Sequence, residues 1–343
     1  MKSLVVCGDG SLEIREVPKP KIDTKQALVK MIACGMCGTD VKLIHRCFKG
    51  FPQSAYPIML GHEGVGKVVE IGADVKGLKV GDTVLLPFVD ADSGIYEKMG
   101  SGWGAFSEYA VVHDSLAFDE DAVPEFVLAQ SIVPNEFDPV DAVILVTFRE
   151  VLSAIRHFGV QPEDSIVVFG CGPVGQTFIK FLNLLGGKEI VAVDIMDEKL
   201  VAARSNGAAQ TINSTQEDLT KVIRSLYPNG VKYVLDAVGL PSVTNKAMEI
   251  LADRGSVLCY GVLEKEEITI NFSKAPYNWN FICQQMPNKK EEADANNQVI
   301  EWICDGKLDM KEYISDYFNF DDSVEAFTKL LERKIMKKGI IKF

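Results

Sequence analysis

Residues 165–199, SIVVFGCGPVGQTFIKFLNLLGGKEIVAVDIMDEK, decide how the rest of the chain is read. Ile166 to Phe169 form a short apolar run, the pattern of a strand buried on both faces. Gly170, Gly172 and Gly175 follow in G-x-G-x-x-G spacing. Val174, Phe178, Ile179, Leu182 and Leu185 then recur at helical spacing until Gly186 and Gly187 stop the helix. A second apolar strand from Ile190 to Val193 ends in Asp194. Each part has a chemical reason. The first glycine permits the tight turn, the second admits a pyrophosphate, and the third lets helix and strand pack closely. The helix start offers free N–H groups and a positive dipole end to phosphates. Asp194 can accept hydrogen bonds from both hydroxyls of an adenosine ribose and repels a 2′-phosphate, which favours NAD over NADP. Glycine-rich turns alone are common. Here strand, helix, second strand and acid stand in the required order, which makes this a dinucleotide site.

Working outward, 343 residues suffice for two domains with a substantial core. A chain that is 47% hydrophobic and 24% charged has the composition of a soluble globular protein. The net charge of −12 argues against nucleic acid or an anionic membrane as partner. No apolar run reaches the ~18 residues of a membrane span. The opening MKSLVVCGDGSLEIREV reads as a strand and turn without the apolar core of a signal peptide. The 8 unevenly placed cysteines point to reduced thiols in a cytoplasmic protein, some of them metal ligands.

Residues 1–120 alternate short expected strands (12–17, 26–33, 64–71, 83–87, 106–112) with Gly, Pro and Asp turns, the texture of a β-rich, barrel-like domain. From about residue 140 strands and helices alternate: strands at 166–169, 190–193, 210–212, 233–236 and 256–260, and helices at 200–205, 219–226 and 242–251. That alternation predicts a doubly wound parallel sheet. Short helices at 298–304 and 324–332 and a last strand at 339–343 return to the first domain, so the expected division is 1–145 with 288–343, and 146–287.

A second chemically loaded region lies in the first domain, at ACGMCGTD (33–40) and LGHEGVG (60–66). A thiolate, an imidazole and a carboxylate form a ligand set that zinc prefers. Taken singly, Cys37 reads as an inert core thiol and His62 as a loop histidine. With only 4 histidines in the chain, one inside G-H-E-G carries more weight.

The motifs ACGMCGTD (33–40), GHEGVGKVVEIGADVKGLKVGDTV (61–84) and VVFGCGPVGQ (167–176), in this order, resemble the zinc-type medium-chain dehydrogenases, the alcohol and sorbitol dehydrogenase family. The resemblance runs over essentially the whole chain. It implies an α/β protein with a GroES-like β-barrel catalytic domain, a Rossmann domain and an active site in the cleft between them. It implies Cys37 and His62 as catalytic zinc ligands, with Glu63 either a ligand or just outside the metal. Thr39 is expected to pass the alcohol proton outward, while zinc as Lewis acid assists hydride transfer to the nicotinamide. The implied cofactor contacts are Gly170, Gly172, Pro173, Val174, Gly175, Asp194 and Lys199, with Val238 and Gly261. The implied substrate is a small secondary alcohol, a polyol or sugar derivative, with a ketone product, and the implied assembly is a homodimer or homotetramer.

Three departures qualify the resemblance. No cysteine lies between Cys47 and Cys171, so a structural zinc lobe is not expected and a single catalytic zinc is. The remaining catalytic ligand, usually Glu, Asp or Cys, aligns with Val146, which cannot bind metal. Glu150, one helical turn on, can substitute, or Glu63 can close the shell with Cys37, His62 and water; Glu150 as an ordinary helix charge is the competing reading. Lys42 stands where a relay histidine is common; it reads as exposed, or as a partner of the ribose or an anionic substrate. His45 is a replacement relay candidate, and His113 and His157 read as surface or capping residues. Residues 47–56 and 95–103 are expected to line the substrate cleft, with Trp103 either a contact or core. The segment YNWNFICQQM (277–286) reads as packing or subunit contact. Two alternatives stay open: a zinc-free NAD(P)H reductase of the quinone-reductase branch, and a dinucleotide-binding protein without catalysis.

Overall fold

The computed structural model describes residues 1–90, 96, 99–263 and 267–343. The chain divides into two units, Met1–Arg149 with Asn288–Phe343, and Glu150–Pro287.

In the first unit the central strand is Gln26–Gly35, whose alternating apolar residues are almost all buried. It belongs to a seven-stranded sheet in the order Ile314–Asn319, Lys338–Lys342, Gln26–Gly35, Glu63–Ile71, Thr83–Leu85, Ser131–Ile132, with Tyr109–His113 also paired to the central strand. The position that matters is Gly35. It pairs with Glu63 on one side and with Ile340 of the last strand on the other. A Cβ at Gly35 would come within 2.3 Å of the Glu63 carboxylate and 2.8 Å of Val143, so no larger residue fits this crossing. A four-stranded sheet, ordered Leu12–Glu16, Lys2–Val6, Ile58–Met59, Gly100–Ser101, completes the β structure of this unit.

The second unit is a six-stranded, wholly parallel sheet ordered Gln210–Asn213, Ile190–Asp194, Ile166–Phe169, Val231–Asp236, Leu251–Cys259, Trp279–Cys283. Numbered along the chain this is 3-2-1-4-5-6, the Rossmann order, with its switch point between Ile166–Phe169 and Val231–Asp236. Val167, Phe169, Val191, Val193, Val234 and Val257 pack under the apolar faces of the helices Leu219–Leu226 and Pro241–Ile250. The fold class is therefore α/β, with a GroES-like barrel and a Rossmann sheet. No described helix is long and apolar enough to cross a membrane.

Two elements differ from expectation. The aromatic segment around Trp279 contains the sixth parallel strand; its residues are half-buried or exposed, so alternation there is weak and aromatic content masks the strand. The helix expected at 298–304 begins nine residues earlier and spans Lys289–Cys304, capped by Asn288, whose side chain accepts from the Lys290 and Glu291 amides at 2.9 and 3.3 Å. Its first turns, KKEEADANN, lack an apolar period because the residues they bury are the charged Glu292 and the small Ala295. Glu292 accepts a 2.6 Å bond from the fully buried Arg149, which also donates to the Ala129 carbonyl at 2.7 Å and the Ser131 hydroxyl at 2.9 Å.

Candidate active site

The first cluster is assembled where three local structures meet. Past Gly35 the central strand gives way to the short helix Gly38–Ile44, with Cys37 at its N-cap in an extended conformation. The Cys37 amide donates to the Asp40 carboxylate at 2.9 Å, which draws Asp40 under the turn and buries it completely. His62 follows Gly61, whose φ of +105° and close approach to Phe106 exclude a side chain. Glu63 then opens the strand Glu63–Ile71. The ligand atoms of Cys37, His62 and Glu63 lie within 4.8 Å of one another, and all three residues are at least half-buried.

The electrostatics of the cluster come from two flanking groups. Asp40 Oδ1 stands 3.4 Å from His62 Nδ1, just outside hydrogen-bond geometry, and both buried atoms lack any hydrogen-bond partner. Burial opposes charge on His62, but the Asp40 carboxylate and the Cys37 sulfur outweigh it and hold its pKa well above the usual histidine value. On the opposite side Lys338 donates to both oxygens of Glu63, at 2.8 and 2.7 Å, inside a pair almost wholly shielded from water. The Thr147 hydroxyl lies 3.5 Å from Glu63 Oε1.

These residues fit a zinc ion. Sulfur, imidazole and carboxylate are its preferred donors, and a carboxylate behind the second ring nitrogen is the usual orienting partner of a metal-bound histidine. Cys37 and His62 are the two donors not already held by a cation. Glu63 sits within ligand reach while held by Lys338.

Glu150 does not join the cluster. Helix Leu145–Phe158 brings its first turn to Glu63 through Thr147, with Val146 buried; Glu150 is a turn further along. Thr39 is half-buried in the first turn of the Cys37 helix, and His45 is its exposed C-cap. His45 does not belong to the cluster. His113, read as a surface or capping residue, is instead wedged between Phe88 and Phe126, because its strand end packs against both rings; burial lowers its pKa. Trp103 is left-handed at φ +64° and half-buried, with its ring 5.4 Å from His62 and 5.8 and 6.2 Å from Phe51 and Phe48. Ile95, at the start of the other expected cleft segment, lies outside the described residues, as do 97–98.

The second unit carries the glycine turn. Gly170 has φ +89°, and a Cβ there would meet Val238 at 2.5 Å. Gly172, the N-cap of helix Pro173–Leu184, has open space where its Cβ would be. A Cβ at Gly175 would lie 1.7 Å from the Gly170 carbonyl. The three glycines thus turn, leave room and pack, in that order. Val174 begins the same helix after Pro173, and Lys199 lies on the helix Asp197–Ser205, its carbonyl accepting from Gln176 at 2.8 Å. Asp194 accepts from the Cys171 amide at 2.7 Å and from the Ile195 and Met196 amides at 2.7 and 3.0 Å, so its carboxylate is locked at the strand tip facing the turn. Buried Asp236 accepts from the amides of Val238 and Gly239 at 2.8 Å each, and its carbonyl from Gly261 at 2.8 Å, which fastens both later loops together.

Sequence reasoning passed over Asp40, Thr147, Asp236 and Lys338. Asp40 carries a local signal, an acid at the third helical position after a capping residue. Asp236 ends a strand before a glycine, a detectable turn signature. Lys338 has none, being 275 residues from its partner.

Residues 23–122 match the alcohol dehydrogenase GroES-like domain, and residues 173–282 match the zinc-binding dehydrogenase domain. An alcohol dehydrogenase of Geobacillus stearothermophilus is 33% identical over 229 residues, 62% of this chain and 63% of that protein, so the aligned stretch spans less than two thirds of it. The sorbitol dehydrogenase of Bacillus subtilis (strain 168) is 24% identical over 355 residues, 97% of this chain and 94% of that one. Alcohol dehydrogenase TADH from Thermus sp. ATN1 shares the fold with a TM-score of 0.79 at 24% identity, covering 100% of this chain and 99% of its own.

Proposed function

We propose a reaction from the premise that this chain belongs to the zinc-type medium-chain dehydrogenase family, the alcohol dehydrogenases in the broad sense: oxidation of a secondary alcohol, a polyol or sugar derivative, to the ketone, with NAD as hydride acceptor. The observation that carries the reading is the meeting of Cys37, His62 and Glu63 within 4.8 Å, backed by a buried carboxylate at Asp40.

Cys37 and His62 are the residues that would hold zinc. Zinc, when bound, supplies Lewis acidity toward the alcohol oxygen, and NAD takes up the hydride. The protein's own groups do the rest. Asp40 stands 3.4 Å from Nδ1 of His62, placed to orient the ring once that nitrogen carries the proton, with Nε2 then the donor for metal. Lys338 cancels the charge of Glu63 and holds both its oxygens, making Glu63 an outer partner of the metal. The Thr39 hydroxyl accepts the alcohol proton and passes it outward. Phe48, Phe51 and Trp103 wall the space beside His62 and give the carbon skeleton an apolar face. In the Rossmann unit the glycine turn cradles the pyrophosphate. Asp194 takes the adenosine ribose hydroxyls with its remaining lone pairs and rejects a 2′-phosphate by charge. The sorbitol dehydrogenase relative supports a polyol substrate.

The test is a rate assay on zinc-quantified protein, with NAD and NADP each offered against a panel of polyols and simple secondary alcohols. Reduction of NAD in preference to NADP with at least one secondary alcohol is the expected result. A zinc-loaded protein that reduces neither cofactor with any alcohol overturns the reading.

A further inference from the structure

We propose that Cys259 and Cys283 are an oxidisable thiol pair, a disulfide-forming modification site at the carboxyl edge of the Rossmann sheet. They are direct partners in the last rung of the parallel ladder between Leu251–Cys259 and Trp279–Cys283. Direct partners in such a ladder present side chains to the same face. Neighbouring strands run ~4.8 Å apart, inside the ~4.4–6.8 Å Cα separation a disulfide spans. Among the described ladders this is the one register that sets cysteine against cysteine.

The two thiols differ in a useful way. Cys283 is exposed and open to an oxidant, whereas Cys259 is fully buried. Burial and the Cys283 sulfur, close enough to hydrogen-bond, push the Cys259 thiol up to about 12. Gln285 Nε2 lies 3.5 Å from the Cys259 sulfur and can steady a thiolate there. The order of events follows from this. A peroxide breaks its O–O bond on the Cys283 sulfur, leaving a sulfenic acid and releasing one water. The Cys259 sulfur attacks that sulfenic sulfur; the S–S bond forms, the S–O bond breaks, and hydroxide leaves with the Cys259 proton as a second water. Two thiols are oxidised and one peroxide is reduced.

The pair stands beside the loops of Val238 and Gly261, which the family resemblance implies as dinucleotide contacts. Gln285 also donates to the Gly261 carbonyl at 3.0 Å, and Gly261 packs so tightly that a Cβ on it would lie 2.3 Å from the Gly239 amide nitrogen. Drawing two sulfurs to a bond of ~2.05 Å displaces Cys259, loses its Gln285 contact and shifts Gly261 against Val238 and Gly239. Oxidation then weakens dinucleotide binding, a consequence that rests on the reading above, whereas the cross-link itself does not.

The experiment treats full-length, zinc-loaded protein with hydrogen peroxide, then counts thiols after denaturation, maps peptides by mass and titrates NADH by fluorescence. The expected result is loss of two thiols, a 259–283 cross-linked peptide, and a several-fold loss of NADH affinity reversed by dithiothreitol. Cys283→Ser keeps the NADH affinity of the reduced protein and loses both responses; Cys259→Ala, as a second variant, leaves Cys283 oxidised without a cross-link. Absence of the cross-linked peptide, or its thiol loss persisting in Cys283→Ser, overturns the pair. A cross-link with unchanged NADH affinity overturns the coupling. Reduced protein that binds no NADH counts against the dinucleotide reading alone, since the mapping still decides the cross-link.

Discussion

Lys338 makes sense of Glu63. A carboxylate with almost no exposure carries a large desolvation cost unless a cation meets it, and Lys338 is that cation. In Lys338→Met the buried charge is stranded, and we expect metal-free protein to lose about 3–5 kcal/mol of stability by denaturant titration. Zinc should then restore more stability than it adds to the parent, because Glu63 is free to turn to the metal; Glu63→Gln added to Lys338→Met should cancel most of the loss. Equal zinc responses in parent and variant would show that Glu63 never approaches the metal. Asp194 poses a different residue-scale question. Its oxygens already serve three backbone amides, so its discrimination between cofactors depends on charge at the strand tip. Asp194→Ser should raise the KM for NAD about tenfold, a loss of about 1.4 kcal/mol, and move the NAD to NADP ratio of kcat/KM toward one. An unchanged ratio would assign cofactor choice elsewhere.

Among the elements, helices Leu219–Leu226 and Pro241–Ile250 are tied by Glu249, which accepts from Lys246 at 2.9 Å, Thr220 at 2.7 Å and Lys274 at 3.3 Å. Those bonds, Lys246 and Thr220 foremost, lower its pKa from 4.5 to about 2. A depressed carboxylate stabilises the fold fully above its unfolded value and progressively less as pH falls through the folded one. Stability contributed by Glu249 is therefore complete above 4.5 and drains toward about 2. Denaturation midpoints should differ between the parent and Glu249→Gln at neutral pH, and the gap should close on acidification through that window. A gap that widens in acid would contradict the assignment. Element type was legible wherever one period ruled, as at Ile166–Phe169 and Leu219–Leu226. It was obscured at Lys289–Cys304, where a buried ion pair replaces the apolar stripe, and at Trp279–Cys283, a half-exposed edge strand.

For the whole molecule the prediction concerns metal content. With no cysteine between Cys47 and Cys171, and one His/Cys/acid cluster of ligand geometry among the described residues, elemental analysis should return about one zinc per chain. Cys37→Ala should abolish it while circular dichroism stays unchanged, since Cys37 caps a short helix and lies outside all three sheets. Two zincs per chain, or zinc retained by Cys37→Ala, would remove the centre described here.

The resemblance to the dehydrogenase family paired Cys37 with His62 as expected donors; the residues alone determined the Rossmann turn, the acid at its second strand and the βα alternation. Each of those signals is written within a few positions, where turn chemistry and periodicity act. Tertiary structure alone decided that Lys338 reaches Glu63, that Glu150 stands apart from the donors, that Arg149 meets Glu292, and that Cys259 faces Cys283. Those contacts depend on strand order and register. Gly35 shows why: its two neighbours come from strands that begin at Glu63 and Lys338, and only their pairing on either side of one glycine brings a lysine to a carboxylate 275 residues away.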